Sequence, residues 1–437
     1  MVRPVNGGVV GSSPNRSKSV GWVEPHPTTF VRLTSPQPPV PFVESQAVHK
    51  TPTRSIVLLA GAGFASQAQV RVTDSLLPQI AADFGTTVGI AAMVVTAYAL
   101  AHGSSQLLIG PVGDRFGKYR TIAVMALVSA ILVVLCGLTQ SLHGLALARL
   151  LAGASAGWVI PLSMAYVGDV TPYERRQTVL GRYLTGQIFG QLFGQAMGGV
   201  LGDLFGWRNV FIILGGLFAL AAAGLIFELW HNPQTRAPAR PEETSRGFVA
   251  DYRTVLSNSW ARIVIFAVLV EAATCWGAFA YVGADLNQRF GLGFTAIGLV
   301  VGAFGFGGLI YTGTVQQLVN IFGQRGLAIG GGALLGIAYL VLAFETGPGP
   351  APFAVVIIGL GFYALHNTLQ TNATQMTPQA RGTAVAVFSS AIYFGQTAGV
   401  AGSAFIFDRF GAVPIFAIAA GVLPALAIWF AHQLQRR

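Results

Sequence analysis

Twelve apolar stretches, each close to 20 residues long, are the feature that most limits what this chain can fold into. A helix needs about 20 mostly apolar residues to cross the hydrocarbon core of a bilayer. Only 10% of the residues are charged, whereas a soluble domain carries about 25%. The sequence therefore predicts an all-α membrane protein with 12 transmembrane helices, near residues 56–80, 88–110, 121–138, 142–167, 183–202, 208–230, 261–284, 294–319, 326–346, 351–373, 382–405 and 411–431.

The net charge of +10 admits two interpretations, a nucleic-acid ligand or an oriented membrane protein. With the N-terminus in the cytoplasm, most of the 26 Lys and Arg residues fall on the cytoplasmic side of the predicted spans. Only Arg208, Arg289 and Arg409 fall outside, and Arg71 and Arg149 fall within spans. In membrane proteins such a bias sets the orientation of the spans, so it accounts for the positive charge without a nucleic-acid ligand. We therefore expect a lipid bilayer as the surroundings, both termini in the cytoplasm and no nucleic-acid partner.

Residues 1–54 differ from the rest of the chain, because they hold nine of the 22 prolines and no apolar run long enough for a signal peptide. They are predicted to be a disordered cytoplasmic tail, or to precede the true start of translation. The lack of a signal peptide and of sorting motifs favours a bacterial inner (plasma) membrane. Cys136 and Cys275 lie within apolar spans, where reduced thiols and no disulfide are expected.

Short strings of residues recur at an offset of 205 or 206 residues. Because six spans separate the two copies, an even number, both copies have the same orientation in the membrane. The repeat predicts two parallel, pseudo-symmetric six-helix bundles, residues 55–230 and 259–432, with a site between them. A cytoplasmic linker, 231–258, joins them, and 433–437 form a cytoplasmic C-terminus. The recurring strings are Asp83-Phe84-Gly85 with Arg289-Phe290-Gly291, Thr171-Pro172 with Thr377-Pro378, Phe189-Gly190-Gln191 with Phe394-Gly395-Gln396, and Asp203-Leu204-Phe205-Gly206 with Asp408-Arg409-Phe410-Gly411.

The loop between the second and third spans reads GPVGDRFGKYR over residues 110–120. It resembles the loop signature of the major facilitator superfamily, and the resemblance extends over about residues 54–435. The resemblance implies a cytoplasmic gate at this loop, where Asp114, Arg115 and Arg120 would latch the opposite half near Arg381. The implied gate residues are Gly110, Asp114, Arg115, Gly117, Lys118 and Arg120.

The fifth span reads GQIFGQLFGQAMGGVLGD over residues 186–203, with a glycine at every fourth position. In lipid, such a stripe lets two helix backbones come close and pack. Read from Gly181, the stretch resembles the antiporter motif of the family's 12-span drug:proton antiporters, with Gln195 in place of the proline. The resemblance implies export, and the missing proline weakens that implication. The glycines that match the motif are Gly181, Gly190, Gly194, Gly198 and Gly199.

Four ionisable residues lie well inside predicted spans, namely Arg71, Asp74, Arg149 and Glu271. Each costs about 2.5 to 3.5 kcal/mol at mid-membrane on insertion scales, so each needs a partner, water or a purpose. Arg71 and Asp74 are three residues apart and can pair along one helix face. We predict that Asp74, Arg71 and Arg149 form a proton-coupling network. The alternative is a fixed cluster that braces the first half.

Glu271 lies near Trp276, and a carboxylate beside aromatic rings suits an organic cation. It could instead bind a neighbouring polar group. Gln187 and Gln191 lie about 100° around the helix from the glycine stripe, so they could face the cavity or bond structurally to a neighbouring helix. Single histidines in spans also serve as hydrogen-bonded helix contacts. The predicted substrate cavity comprises Gln187, Gln191, Glu271, Trp276, His102, His366 and Asn367.

Together these patterns predict a secondary active transporter that exports a small organic molecule or drug in exchange for protons by alternating access. Proton-linked uptake or facilitated diffusion of a small metabolite is the alternative, and a channel is a more distant one. The sequence has no His-Glu-x-x-His, phosphate-loop or Cys-x-x-Cys pattern, so we expect no enzyme, metal or cofactor. The expected partners of a monomer are protons and a small-molecule substrate.

Overall fold

A computed structural model describes residues 52–236 and 248–436. All but the last three residues of the predicted tail, 1–54, therefore lie outside the described residues. The helices are α1 (Thr53–Arg71), α2 (Thr73–Asp83), α3 (Val88–Ala91), α4 (Met93–Gln106), α5 (Ile109–Phe116), α6 (Lys118–Leu138), α7 (Leu142–Ala156), α8 (Val159–Val170), α9 (Tyr173–Phe205), α10 (Trp207–His231), α11 (Phe248–Ser257), α12 (Ser259–Phe279), α13 (Val282–Phe290), α14 (Phe294–Gly302), α15 (Phe304–Phe344), α16 (Ala351–Ala373), α17 (Arg381–Phe410) and α18 (Val413–Gln435).

Nine helical segments in these two ranges are long and apolar enough to cross a membrane, and one of them, Phe294–Phe344, contains two crossings. The backbone leaves the helical conformation at Gly323. A Cβ on Gly307 would touch residues 356–360 of α16, and a Cβ on Gly331 would touch residues 361–365. These two glycines are 24 positions apart, so in a straight helix they would be separated by about 36 Å. The chain therefore reverses at Gly323.

Two further long segments, α1 with α2 and α9, bring the number of spans to 12 and confirm the predicted fold class. They are less apolar than the others because they carry polar residues, including Arg71 and Asp74 on the first and Gln187 on the second. All three side chains are buried, since α9 packs along α1. Both of these less apolar spans therefore turn polar side chains toward the interior of the bundle.

Six glycines of the described residues have a positive φ, and each lies where the chain turns between spans. An L side chain is strained in this conformation, which glycine adopts freely. The pairs are 205 or 206 residues apart, the same offset as the repeated strings, so the repeat in sequence is a repeat in structure. They are Gly85 with Gly291 (φ 59° and 65°), Gly117 with Gly323 (85° and 61°) and Gly206 with Gly411 (80° and 73°).

The glycine stripe of α9 packs on α1 and α2 in a constant register. A Cβ on Gly194 would overlap the carbonyl oxygen of Ala68, so no other residue allows this approach of two backbones. The same register recurs between α17 and α12 in the second half. The facing pairs, all 126 residues apart, are Gly186 with Ala60, Gly190 with Phe64, Gly194 with Ala68, Gly198 with Val72, Gly202 with Leu76, Gly395 with Leu269 and Gly399 with Ala273.

The two halves pack together at the face opposite the 110–120 loop. We call the face with that loop the loop face, and the other, with the turns at Gly85, Gly206, Gly291 and Gly411, the far face. Near the far face, a Cβ on Gly199 would overlap the backbone of Gly298 across the halves. Toward the loop face, a Cβ on Gly181 of α9, Gly313 of α15 or Gly382 of α17 would meet nothing within 4 Å.

The predicted linker, 231–258, contains an ordered helix, α11. Val255 of this helix is fully buried, and the hydroxyl of Tyr252 donates to the carbonyl of Leu107, 2.7 Å away, at the end of α4. Residues 237–247 lie outside the described residues. The described part of the linker therefore ties the loop-face end of the first half to the second half.

Ion pairs fasten the far-face ends of the spans within each half. Arg208 lies 2.5 Å from Asp83 in the first half, and Arg289 lies 2.5 Å from Asp285 and 3.7 Å from Glu345 in the second. Glu345 follows α15, outside the spans, and its side chain is fully buried. Burial raises the pKa of Glu345 to about 7, which Arg289 opposes and the Asp285 charge reinforces.

A pH dependence of stability follows from Glu345. Its folded-state pKa lies above the value of 4.5 for an exposed glutamate, so the stability it contributes is complete below pH 4.5 and is lost as the pH rises to about 7. Relative to Glu345→Gln, we expect the native protein to lose at most about 3 kcal/mol across this window. Thermal unfolding of both proteins in detergent measures the difference. A difference that stays constant with pH would contradict the assignment.

Candidate functional site

The break between α1 and α2 places a charged pair at the interface of the halves. Arg71 ends α1, and Asp74 lies in the first turn of α2. Pro78 has no N–H, so the carbonyl of Asp74, four residues earlier, receives no helical hydrogen bond from it. That carbonyl faces Gly283 of the second half, where a Cβ would lie 3.1 Å away. Pro78 thus leaves a polar backbone carbonyl that faces the opposite half.

Arg71 is shared between the two halves. Its Nη1 lies 3.9 Å from Oδ2 of Asp74, and its guanidinium carbon lies 3.3 Å from the ring centroid of Trp276 in α12. Arg71, Asp74 and Trp276 are 7%, 2% and 3% exposed. A cation over a desolvated indole ring is held by about 2 kcal/mol or more. One cation of the first half therefore has a carboxylate partner in its own half and an aromatic partner in the other.

One glutamine of α9 lies beside this pair, and two others lie further along the same helix. Gln195, fully buried, lies beside Asp74, although the sequence patterns pointed to Gln187 and Gln191 instead. Its signals in the sequence were its place in the motif, where the family has proline, and its place four residues after Gln191 in the same row of glutamines. Gln187 and Gln191 are buried too, and in the described part of the chain the amide nitrogen of each has no hydrogen-bond partner. Buried polar atoms of this kind are normally satisfied by water or a ligand.

Arg149 has a different set of contacts from Arg71. Fully buried in α7, it donates hydrogen bonds to the carbonyls of Gln69 (3.2 Å) and Val94 (3.3 Å), and its guanidinium carbon lies 4.0 Å from the Tyr98 ring centroid. These bonds tie α7 to α1 and α4 within the first half. They favour the bracing role that the sequence left open for Arg149.

In the second half, Glu271 pairs with a histidine. Its Oε2 lies 2.8 Å from Nδ1 of His366, and the Glu271 side chain is fully buried. The His366 ring stacks on Phe362 at 4.8 Å, and the Phe362 ring lies 4.8 Å from that of Trp276. A continuous series of contacts therefore runs from Arg71 through Trp276, Phe362 and His366 to Glu271. The sequence indicated most of these residues but not their order.

The remaining predicted cavity residues lie apart from this series. The buried ring of His102 in α4 lies 4.2 Å from the ring of Tyr393 in α17, so it contacts the opposite half. Asn367 is half-buried on the loop-face side of His366, beside Tyr311 of α15. α4 packs against α17 of the opposite half, and neither His102 nor Asn367 has a described contact with Arg71 or Asp74.

The 110–120 loop forms a sharp turn from α5 into α6. Gly117 has a φ of 85°, and Nζ of Lys118 lies 2.6 Å from Oδ2 of Asp169, which joins the start of α6 to the end of α8. The latch of this loop to the opposite half stays a prediction, and the side chains it needs are partly outside the described residues. Arg115 and Arg120 are exposed, and the side chain of Asp114 lies outside the part of the chain that the structure describes.

Two like-oriented six-helix halves with buried charged residues at their interface define the architecture of a secondary transporter. The family model of the Major Facilitator Superfamily matches residues 59–399. The chain belongs to this family, and the family and the fold are those of multi-pass membrane transporters of small molecules rather than enzymes.

Relatives cover most of the chain. It is 25% identical over 393 residues to the uncharacterized MFS-type transporter YwfA of Bacillus subtilis (strain 168), covering 88% of this chain and 93% of YwfA. It is 26% identical over 310 residues to the multi-drug resistance efflux pump PmrA of Streptococcus pneumoniae, covering 70% of this chain and 76% of PmrA.

Solved structures share the fold at low identity. The nucleoside transporter NupG has a TM-score of 0.69 and 13% identity, covering 88% of this chain and 100% of that chain. A variant of the peptide transporter POT has a TM-score of 0.71 and 14% identity, covering 87% of this chain and 94% of that chain. At these identities the likeness concerns the fold alone.

Proposed function

We propose that this chain exports a small organic molecule in exchange for protons, by alternating access to the cleft between its halves. The observation that carries the proposal is the position of Arg71, between Asp74 of its own half and Trp276 of the other. A second support is the similarity to PmrA, which is named a multi-drug resistance efflux pump.

The central charges explain why a proton and a cationic substrate would exclude each other. With both carboxylates ionised and His366 neutral, the formal charges of Arg71, Arg149, Asp74 and Glu271 cancel. Adding either a proton or an organic cation leaves a charge of +1, and adding both leaves +2. Uncompensated charge is costly away from water, so the two ligands compete. Competition of this kind is what exchange requires.

Arg71 would change partners as the ligand changes. When a proton neutralises Asp74, Arg71 retains only the ring of Trp276. When an organic cation takes the ring of Trp276, Arg71 returns to the ionised Asp74. Because Trp276 belongs to the other half, each change alters a contact that joins the halves. Ligand binding is thereby coupled to the relative position of the halves.

We also propose that the loop face is cytoplasmic, because most Lys and Arg residues lie on that side, and that the protein is a monomer of a bacterial inner membrane. The described conformation, packed at the far face, would then load substrate from the cytoplasm. Uptake with protons, or facilitated diffusion, is the second candidate. The observation in its favour is Gln195, which stands where the antiporter motif has proline.

Transport in reconstituted vesicles tests the direction and the coupling together. In vesicles whose loop face points outward, an acidic lumen is expected to drive a permanently charged organic cation into the lumen. If one proton is exchanged for one monovalent cation, no net charge moves. A gradient of one pH unit then supports about tenfold accumulation of the cation in the lumen. Symport would move the cation out of the lumen, and facilitated diffusion would give no accumulation in response to the pH gradient. Protein-free vesicles and a panel of nucleosides and peptides are the controls for leakage and substrate class.

A further inference from the structure

Two carboxylates at the far face reach across the interface of the halves. Asp408, near the end of α17, accepts a hydrogen bond from the hydroxyl of Thr87 (2.6 Å) and another from the backbone N–H of Gly89 (2.8 Å). Thr87 and Gly89 begin the span Val88–Gln106 of the first half. Asp408 therefore caps the start of a span that belongs to the other half, where the helix dipole favours a negative charge.

The second carboxylate makes the equivalent contact in the reverse direction. Asp203, near the end of α9, accepts a hydrogen bond from the hydroxyl of Thr295 (2.6 Å) and a longer one from the Thr295 backbone N–H (3.4 Å), at the start of α14. Asp203 and Asp408 are 205 residues apart, and Gly89 and Thr295 are 206 apart. The repeated Asp-x-Phe-Gly string thus supplies one cap from each half to the other.

Each cap lies at a crossing of two backbones. A Cβ on Gly89 would lie 2.5 Å from the carbonyl oxygen of Ala404, one turn before Asp408. Gly199, one turn before Asp203, would similarly overlap the backbone of α14. Because the helices touch there, the halves cannot separate at the far face without breaking both caps.

Both caps are open to water. Asp203 and Asp408 are exposed, and a depression of about 340 Å³ between the halves is lined in part by Thr87 and Asp408. Water can replace the hydrogen bonds when the helices part, so each cap has a modest effect, like that of a helix N-cap. This suits a contact that must break and re-form in every transport cycle.

We propose that Asp203 and Asp408 are the two latches of a far-face gate, and that the face opens only when both have released the opposite half. They are positioning residues, because they act on the conformation and not on the substrate. The proposal holds for export and for uptake, and it does not rest on proton exchange.

Distances between spin labels on Ile212→Cys and Ile418→Cys test the gate. These residues are exposed on α10 and α18 near the far face, one in each half. Every variant carries Cys136→Ala and Cys275→Ala. A long distance between the labels reports an open far face, and a short distance a closed one. Asp203→Ala and Asp408→Ala are each expected to raise the ratio of the long-distance to the short-distance population by roughly fivefold. Both together should raise it about 25-fold, since the two carboxylates share no partner.

Asp83→Ala is the matched control, because Asp83 forms an ion pair at the same face but with Arg208 of its own half. Its distance distribution should equal that of the labelled protein with both Asp203 and Asp408 intact. Unchanged distances in Asp203→Ala and Asp408→Ala, or an equal change in Asp83→Ala, would overturn the gate. If a carboxylate variant does not fold, Thr295→Val removes the shorter hydrogen bond to Asp203, that from the hydroxyl, and must raise the same ratio. The measurement needs no substrate or pH gradient, so its outcome is separate from that of the vesicle assay.

Discussion

Asp74→Asn is expected to abolish proton-driven accumulation while leaving the protein folded and able to exchange substrate down its gradient. Asparagine keeps the size of the side chain but cannot take up a proton, so the site has the charge of the protonated state at every pH. Accumulation of an organic cation should fall from about tenfold per pH unit to about onefold, in the vesicles described above. Exchange without a pH gradient should persist at reduced affinity, because the substrate would enter a site with excess positive charge.

Glu228→Gln is the matched control for this variant. Glu228 is a buried carboxylate of the same half, bound to Ser55 at 2.7 Å and to Arg54 at 3.2 Å, and it makes these contacts near the end of α10. It should retain accumulation driven by the pH gradient. Full accumulation in Asp74→Asn would remove Asp74 from the mechanism and leave its pair with Arg71 a structural one.

The second large effect is expected from Gly194. A Cβ there overlaps the carbonyl oxygen of Ala68, and the two backbones cannot part without losing the neighbouring contacts of Gly190 and Gly198. Overpacking costs about 1 to 3 kcal/mol, so Gly194→Ala should lower the unfolding temperature measurably. Gly194→Val adds two further methyl groups at the same point, and we expect it to yield no folded protein on size-exclusion chromatography in detergent.

Gly181→Ala provides the comparison within the same motif. A Cβ at Gly181 meets nothing within 4 Å, and alanine is favoured over glycine in a helix by about 1 kcal/mol. The variant should be as stable as the native protein or slightly more stable. If Gly181→Ala and Gly194→Ala lowered stability equally, close packing against α1 would not be the reason for the stripe.

The number of spans and the repeat could be predicted because both are properties of the linear chain. The length of a span follows from the thickness of the hydrocarbon core. The repeat is visible because both halves need a glycine at the same turn, as at Gly117 and Gly323. The glycine stripe likewise indicated a close helix contact. Its partner, α1, and the constant register could not be predicted, since any helix of small residues would have served.

The central site was predicted only in part. The charged residues stood out because ions are costly in lipid, and Arg71 with Asp74 are close in sequence. The contact of Arg71 with Trp276 joins residues more than 200 positions apart, so no local pattern could indicate it. Arg149 is as conspicuous as Arg71 in the sequence, yet its hydrogen bonds go to carbonyl oxygens of its own half.

The sequence by itself therefore determined how many helices cross the membrane and where the chain duplicates, because the thickness of the hydrocarbon acts on each segment separately. Only the tertiary structure decided which polar groups meet. Helices in lipid gain little by hiding apolar faces from one another, so apolar periodicity leaves their rotation open. The rotation is set by packing between spans, and it is this packing that brings Arg71 to Trp276 and Asp408 to Gly89.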